Sequence, residues 1–115
     1  MKQIIRITED SFFKGTYSGY GDIELYGKFH GSLYVENLYV KKSGVFIGYL
    51  SAKNIIVEGK INADIQTENL HLKSTGVLDG EVVYRNMIID SGGMLKSQMV
   101  QNVSNMNNLI KLSKI

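Results

Sequence analysis

The 115-residue chain contains no cysteine, no proline and no tryptophan. Without cysteine there is neither a disulfide framework nor a thiolate metal site, and the chain fits a reducing compartment. Without proline there is no polyproline linker and no proline-rich tail. No apolar run approaches the ~20 residues of a membrane span. The opening MKQIIRITEDSF reaches Glu9 and Asp10 before the apolar stretch of a signal peptide can build up. The net charge of +2 is a balance of mixed signs and makes no case for nucleic acid. What these absences leave is a single domain with one modest core, expected in the cytoplasm.

What the chain does have is one phrase, written repeatedly. It runs glycine, any residue, apolar, any, small, any, apolar. GKFHGSL stands at 27–33, GVFIGYL at 44–50, GKINADI at 59–65, GVLDGEV at 76–82 and GMLKSQM at 93–99, with a degenerate SFFKGTY at 11–17. The first positions are 16, 17, 15, 17 and 17 residues apart. A second marker precedes each phrase: Asp22, Asn37, Asn54, Asn69 and Asn86, each followed by an apolar residue. Alternate copies therefore lie 32 residues apart, and residues 22–53 laid over 54–85 share ten identities without a gap, too many for coincidence. A repeat of this length is one supersecondary unit that cannot bury its apolar side alone.

Within each unit the apolar residues alternate. Leu38 and Val40, Ile55 and Val57, Leu70 and Leu72, and then Phe46 and Leu50, Ile61 and Ile65, Leu78 and Val82 follow period two, which is the period of a strand. Short strands with tight corners, stacked coil on coil at ~4.8 Å, bury one continuous interior. The predicted fold is all-β: one parallel β-helix, or β-solenoid, of about six coils with 15–17 residues each. It spans residues 5–100, with a lead at 1–4 and a tail or cap at 101–115. The opening glycines are expected to supply positive φ at a corner. Gly31, Gly48, Ala63, Gly80 and Ser97 form a second column, expected where the coil is too narrow for a branched side chain. The alternation of 15 and 17 comes from one corner, short in LYG (25–27) and VEG (57–59), long in VKKSG (40–44) and LKSTG (72–76). IDSGG (89–93) takes the long form out of turn, as an end coil can.

The asparagine column is read structurally, through αL corners and a ladder of stacked amides. Beside it Glu36, Lys53, Glu68 and Arg85 alternate in sign down the stack, a device for pinning register. No catalytic constellation emerges. The two histidines, His30 and His71, occupy different coil positions and face outward, which suits solvated side chains rather than ligands. No nucleophile is spaced with a base, and no phrase continues into the GK[ST] of a phosphate loop. The reading is no enzyme, no catalytic residue, no cofactor, no metal and no nucleotide.

The remaining signals are on the surface. Tyr39, Ile56, His71 and Ile88 point outward in one column, and Tyr39, Ile56 and Ile88 are the candidate lateral or partner face. The two ends of a solenoid are open strand edges, which are templates for another chain. The first coil offers Ile5, Ile7, Phe13 and Tyr17; the last offers Met87, Ile89, Leu95 and Met99. In the tail, Met99, Val103, Met106 and Ile110 are spaced for a short helix over the last coil. The alternatives are plain disorder, or a basic segment touching anionic lipid through Lys111 and Lys114.

IELYGKFHGSL (23–33), IIVEGKINADI (55–65) and LHLKSTGVLDGEV (70–82), led in by SFFKGTYSGYGDIELYG (11–27), resemble the bactofilins over roughly residues 5–100. The resemblance implies a right-handed parallel β-helix. It implies a bacterial cytoskeletal scaffold that polymerises end to end without nucleotide, like end to like end, through apolar terminal coils. It implies the chain itself as main partner, with cell-wall enzymes or shape and polarity proteins beside it. It also implies peripheral contact with the inner face of the cytoplasmic membrane. The self-association residues it points to are Ile5, Ile7, Phe13, Met87, Ile89, Leu95 and Met99. The competing reading is a solenoid that does not polymerise and recruits a protein through its exterior face or its tail.

Overall fold

Residues that alternate inward and outward, and repeat that alternation every turn, can satisfy their backbone groups only by pairing with the coil above and the coil below. The computed structural model of the chain describes residues 3–96 and 99–101, with the backbone alone described for Gln3 and for 99–101. All regular structure there is strand: β1 (Gln3–Ile7), β2 (Phe12–Ser18), β3 (Gly21–Leu25), β4 (Lys28–Val40), β5 (Val45–Val57), β6 (Lys60–Leu72), β7 (Val77–Asp79), β8 (Val82–Tyr84), β9 (Asn86–Ile89), β10 (Met94–Lys96) and β11 (Met99–Gln101). Every pairing is parallel. The separate strands β7, β8 and β9 reveal three sides to a turn. In the middle coils, the corner between the second and third sides and the corner back to the first lie within single long strands.

Register is residue on equivalent residue. Phe13 lies on Phe29, then Phe46, Ile61, Leu78 and Leu95. Those six layers are joined by five register steps, so the stack makes about five turns, slightly fewer than the six expected. Four such columns fill the interior. Their central members are Ile23, Leu38, Ile55 and Leu70; Leu25, Val40, Val57 and Leu72; Phe29, Phe46, Ile61 and Leu78; and Leu33, Leu50, Ile65 and Val82. None of them is more than 2% exposed. Phe13, Phe29 and Phe46 stack with ring centroids 4.6 and 5.1 Å apart.

Of the two glycine columns, both lack room for a side chain, and the positive φ expected in the first falls in the second. The opening glycines are not at positive φ. A Cβ at Gly27 would stand 2.2 Å from the Thr8 carbonyl oxygen, and one at Gly59 2.3 Å from that of Lys41, so the corner needs them for close approach. The positive φ falls in the other column, at Gly15 (138°), Gly31 (145°), Gly48 (133°) and Gly80 (125°). There too the backbone crowds: a Cβ on Gly48 would lie 1.9 Å from the Gly31 carbonyl oxygen. Ala63 is the exception, in the one central coil without positive φ at this place. The strand that follows over it breaks into β7 and β8 at Gly80. Ser97 lies outside the described residues.

The asparagines are likewise not in αL; no non-glycine described residue has positive φ. What stacks them is an amide ladder. Asn37 Nδ2 donates to Asp22 Oδ1 at 2.6 Å, Asn54 to Asn37 Oδ1 at 2.7 Å, Asn69 to Asn54 at 2.8 Å and Asn86 to Asn69 at 2.9 Å. The direction follows from chemistry. An ionised Asp22 can only accept, so Asn37 must present its NH2 to it, and each amide above is turned the same way. At the corners, Ser43 and Thr75 occupy the same place in the two long forms. Each donates its hydroxyl to a carbonyl of a short corner beneath, that of Tyr26 and that of Glu58, both at 2.7 Å.

Two outcomes follow. Gly48→Ala meets both a forbidden φ and the Gly31 carbonyl, whereas Gly15→Ala, whose nearest contact is 3.9 Å away, meets the φ penalty alone. Urea unfolding should show a loss of ~1–3 kcal/mol for Gly15→Ala, with a further loss of similar size for Gly48→Ala. Equal losses would mean that the coil contact is not tight. Asn54→Asp sets a carboxylate oxygen against the Asn37 carbonyl and should cost ~1–3 kcal/mol at neutral pH. That repulsion raises the new carboxyl's folded pKa. The penalty is therefore absent at low pH, where the acid can donate, and grows as pH rises through the folded pKa.

Candidate functional site

An interior layer is covered on both faces by its neighbours; among the described residues the first and last layers are covered on one. Ile5 pairs with Ile23, Ile7 with Leu25, Phe13 with Phe29 and Tyr17 with Leu33. These four pack on the core yet are only half-buried, while the residues they sit on are at most 2% exposed. At the other end Met87 pairs with Leu70, Ile89 with Leu72 and Leu95 with Leu78. Met87 and Leu95 are half-buried against the core, and Ile89 is 44% exposed. Met99 pairs by its backbone with Val82; its side chain lies outside the described residues, as does the tail from 102 onward.

The backbone of these layers is unfinished in the same way. Among the described residues β1 and β2 pair on one side only, with β3 and β4. At the far end β9, β10 and β11 pair on one side only, with β6, β7 and β8. Each end thus joins an apolar surface to a row of backbone donors and acceptors in strand geometry, and a further strand layer satisfies both at once. Arg6, at the first edge, donates from Nε to Glu24 Oε1 at 2.7 Å. That hydrogen bond and the carboxylate's charge raise the guanidinium pKa above its usual value.

Reading the sequence for inward apolar residues finds these layers. It passes over the outward apolar residues of the same coils: Ile4 (65% exposed), Phe12 (61%) and Met94 (49%). The signal was available, since each sits one position off the inward phase.

The candidate lateral face is a single column, Arg6, Glu24, Tyr39, Ile56, His71 and Ile88. Tyr39 and Ile56 are half-buried and Ile88 is 59% exposed. With the asparagine ladder two residues away they line a groove of about 350 Å³. His71 Nε2 lies 2.9 Å from Asp90 Oδ1, while His30 is exposed on a different side. Among the described residues no three His, Asp or Glu gather in a way that holds a metal ion, and no helix is long and apolar enough to cross a membrane.

With this geometry in hand, the chain can be set beside known proteins. The model of the bactofilin family, described as polymer-forming cytoskeletal, matches residues 5–100. Among solved structures, the chain is similar to the Thermus thermophilus bactofilin in its cryo-EM double helical filaments. The TM-score is 0.81 at 21% identity, covering 85% of this chain and 99% of that one. It is also similar to the cytoskeletal bactofilin BacA determined by solid-state NMR, at TM-score 0.81 and 20% identity, covering 87% and 97%. Among curated proteins none matches.

Proposed function

The chain belongs to the bactofilin family of polymer-forming cytoskeletal proteins, and from that premise we propose that it builds filaments by continuing its stack from one subunit into the next. The observation that carries this is the exposure gradient. Among the described residues, the same columns that are sealed in the four central layers are only half-covered at both ends, beside strand edges paired on one side. A junction buries Ile5, Ile7 and Phe13, or Met87, Ile89 and Leu95 with Met99, and completes the backbone pairing in the same event. The driving force is removal of apolar area from water plus edge hydrogen bonds. No nucleotide step enters, so subunit concentration and salt set the extent of assembly. Six layers at ~4.8 Å give an axial repeat of ~29 Å per subunit. The finer role, a scaffold that positions cell-shape or cell-wall factors, is supported by the family resemblance.

A second reading is favoured by the groove beside Tyr39, Ile56 and Ile88. It makes that side the place where a protein partner or a neighbouring filament rests, whether or not the ends join.

Leu95→Arg separates the two. The side chain is half-exposed in a lone subunit, so the fold tolerates the charge. In a junction the unpaired guanidinium is desolvated, at ~3–5 kcal/mol. Negative-stain electron microscopy and sedimentation should show filaments for the native chain and a folded small oligomer for the variant. Long filaments from the variant would remove the C-terminal layer from the junction. Discrete particles from the native chain at every salt concentration would favour the recruitment reading.

A further inference from the structure

The three sides of the solenoid are not alike in charge. The second side, formed by β2, β7, β10 and the first residues of β4, β5 and β6, shows two outward columns. One reads Phe12, Lys28, Val45, Lys60, Val77, Met94; the other reads Lys14, His30, Ile47, Asn62, Asp79, Lys96. Lys14, Lys28, Lys60 and Lys96 are all exposed, against the single acid Asp79. Just past the glycine corner the third side carries Asp64 and Glu81 in its first outward column, and no lysine there. The near-neutral total of the chain hides this division, and the expectation of no nucleic-acid partner rests on that total.

The first two layers of this side add a second feature. β2 presents Phe12 and Lys14 outward, and β4 lays Lys28 on Phe12 and His30 on Lys14. Layers are ~4.8 Å apart and same-face neighbours along a strand ~6.6 Å, so the four side chains form one small quartet. Two rings stand on one diagonal and two ammonium groups on the other. Phe12 is 61% exposed, and Lys14, Lys28 and His30 are exposed with it. Between them, on the inner face, Phe13 and Phe29 stack at 4.6 Å and hold the two strands that carry the quartet.

We propose that the second side binds single-stranded nucleic acid, with the strand running along the solenoid axis. Unpaired bases stack on the Phe12 and His30 rings, as bases do on aromatic side chains of a sheet surface. Lys14 and Lys28 meet the phosphates beside those bases. Lys60 and Lys96, two and four layers past Lys28, continue the positive charge along the axis. Ile47 and Met94, exposed between them, give further bases an apolar surface. This arrangement selects a single strand over a duplex, whose bases are paired and stacked out of reach. A nucleotide also brings a flat ring with every charge, which an acidic peptide does not. The acidic third side repels the same phosphates and confines the strand to the second. The contact uses the folded domain and needs no polymerisation, although a filament would repeat the surface and add avidity.

The test is fluorescence anisotropy of the full chain with labelled oligothymidylate, and with the same strand paired in a duplex, over a series of salt concentrations. The single strand should bind more tightly. The logarithm of its affinity should fall against that of salt with a slope of about −3, four lysines at ~0.7 each. Lys28→Gln with Lys60→Gln should weaken binding and flatten the slope by about 1.4. Phe12→Ala with His30→Ala should weaken binding about tenfold or more and leave the slope unchanged. Each pair is checked for an unchanged thermal melt. Lys111→Gln with Lys114→Gln, in the tail, should alter neither quantity. The proposal is overturned by a duplex bound as tightly as the single strand, by a slope that the lysine pair does not move, by an affinity that the ring pair does not move, or by loss on changing the tail alone. Capture by phosphatidylglycerol vesicles without binding of oligothymidylate would overturn it too, in favour of a lipid surface. Electron microscopy of the same samples scores filament formation separately, so failure of one reading leaves the other standing.

Discussion

Parallel pairing of each coil with the next, equivalent residue upon equivalent residue, is the constraint on which everything else here rests. It places like on like. A leucine column becomes core because every member has a leucine or its equal above and below. An asparagine column becomes a ladder because an amide can both give and take. The backbone approaches so closely at Gly48 and Gly59 that a single methyl group does not fit. The same rule forbids local exceptions: Ala63, which replaces one glycine of its column, coincides with the break that divides the next coil into β7 and β8.

A structure made by repeating one step has no internal reason to stop. In most folds the edge strands are covered; here, among the described residues, the first and last layers have a neighbour on one side only. Side chains sealed in the centre, such as Phe46, have half-open counterparts such as Phe13 and Leu95 at the ends. With the junction proposed above, assembly needs no separate binding site, because the site is the cross-section of the core. Such a stack fits a polymer-forming cytoskeletal family.

Much of this was legible in the residues. Period two within a repeat of 15–17 specifies strands, stacking, the four interior columns and the identity of the end layers. Less legible was the backbone. Glycine at a corner can mean positive φ, lack of room or both, and only coordinates separate them; Gly27 proved to need room alone, and Gly31 both. Asparagine can mean αL or a ladder, and the ladder alone was present. The distribution of charge was also hidden, since a net of +2 says nothing about which side holds Lys28 and Lys60 and which holds Asp64 and Glu81. Sidedness appears only after the corners are located.

The near-uniform spacing of 15–18 residues between stacked positions has a kinetic meaning. Every core contact closes a loop of about the same length, so no step in folding waits on a distant part of the chain. The first pair of coils must meet with little to hold them, and each later coil lands on a finished template. Folding of this domain is a zipper with a difficult start. The arrival of another subunit on the last coil buries the same kind of cross-section, but it joins two finished stacks and closes no loop of chain.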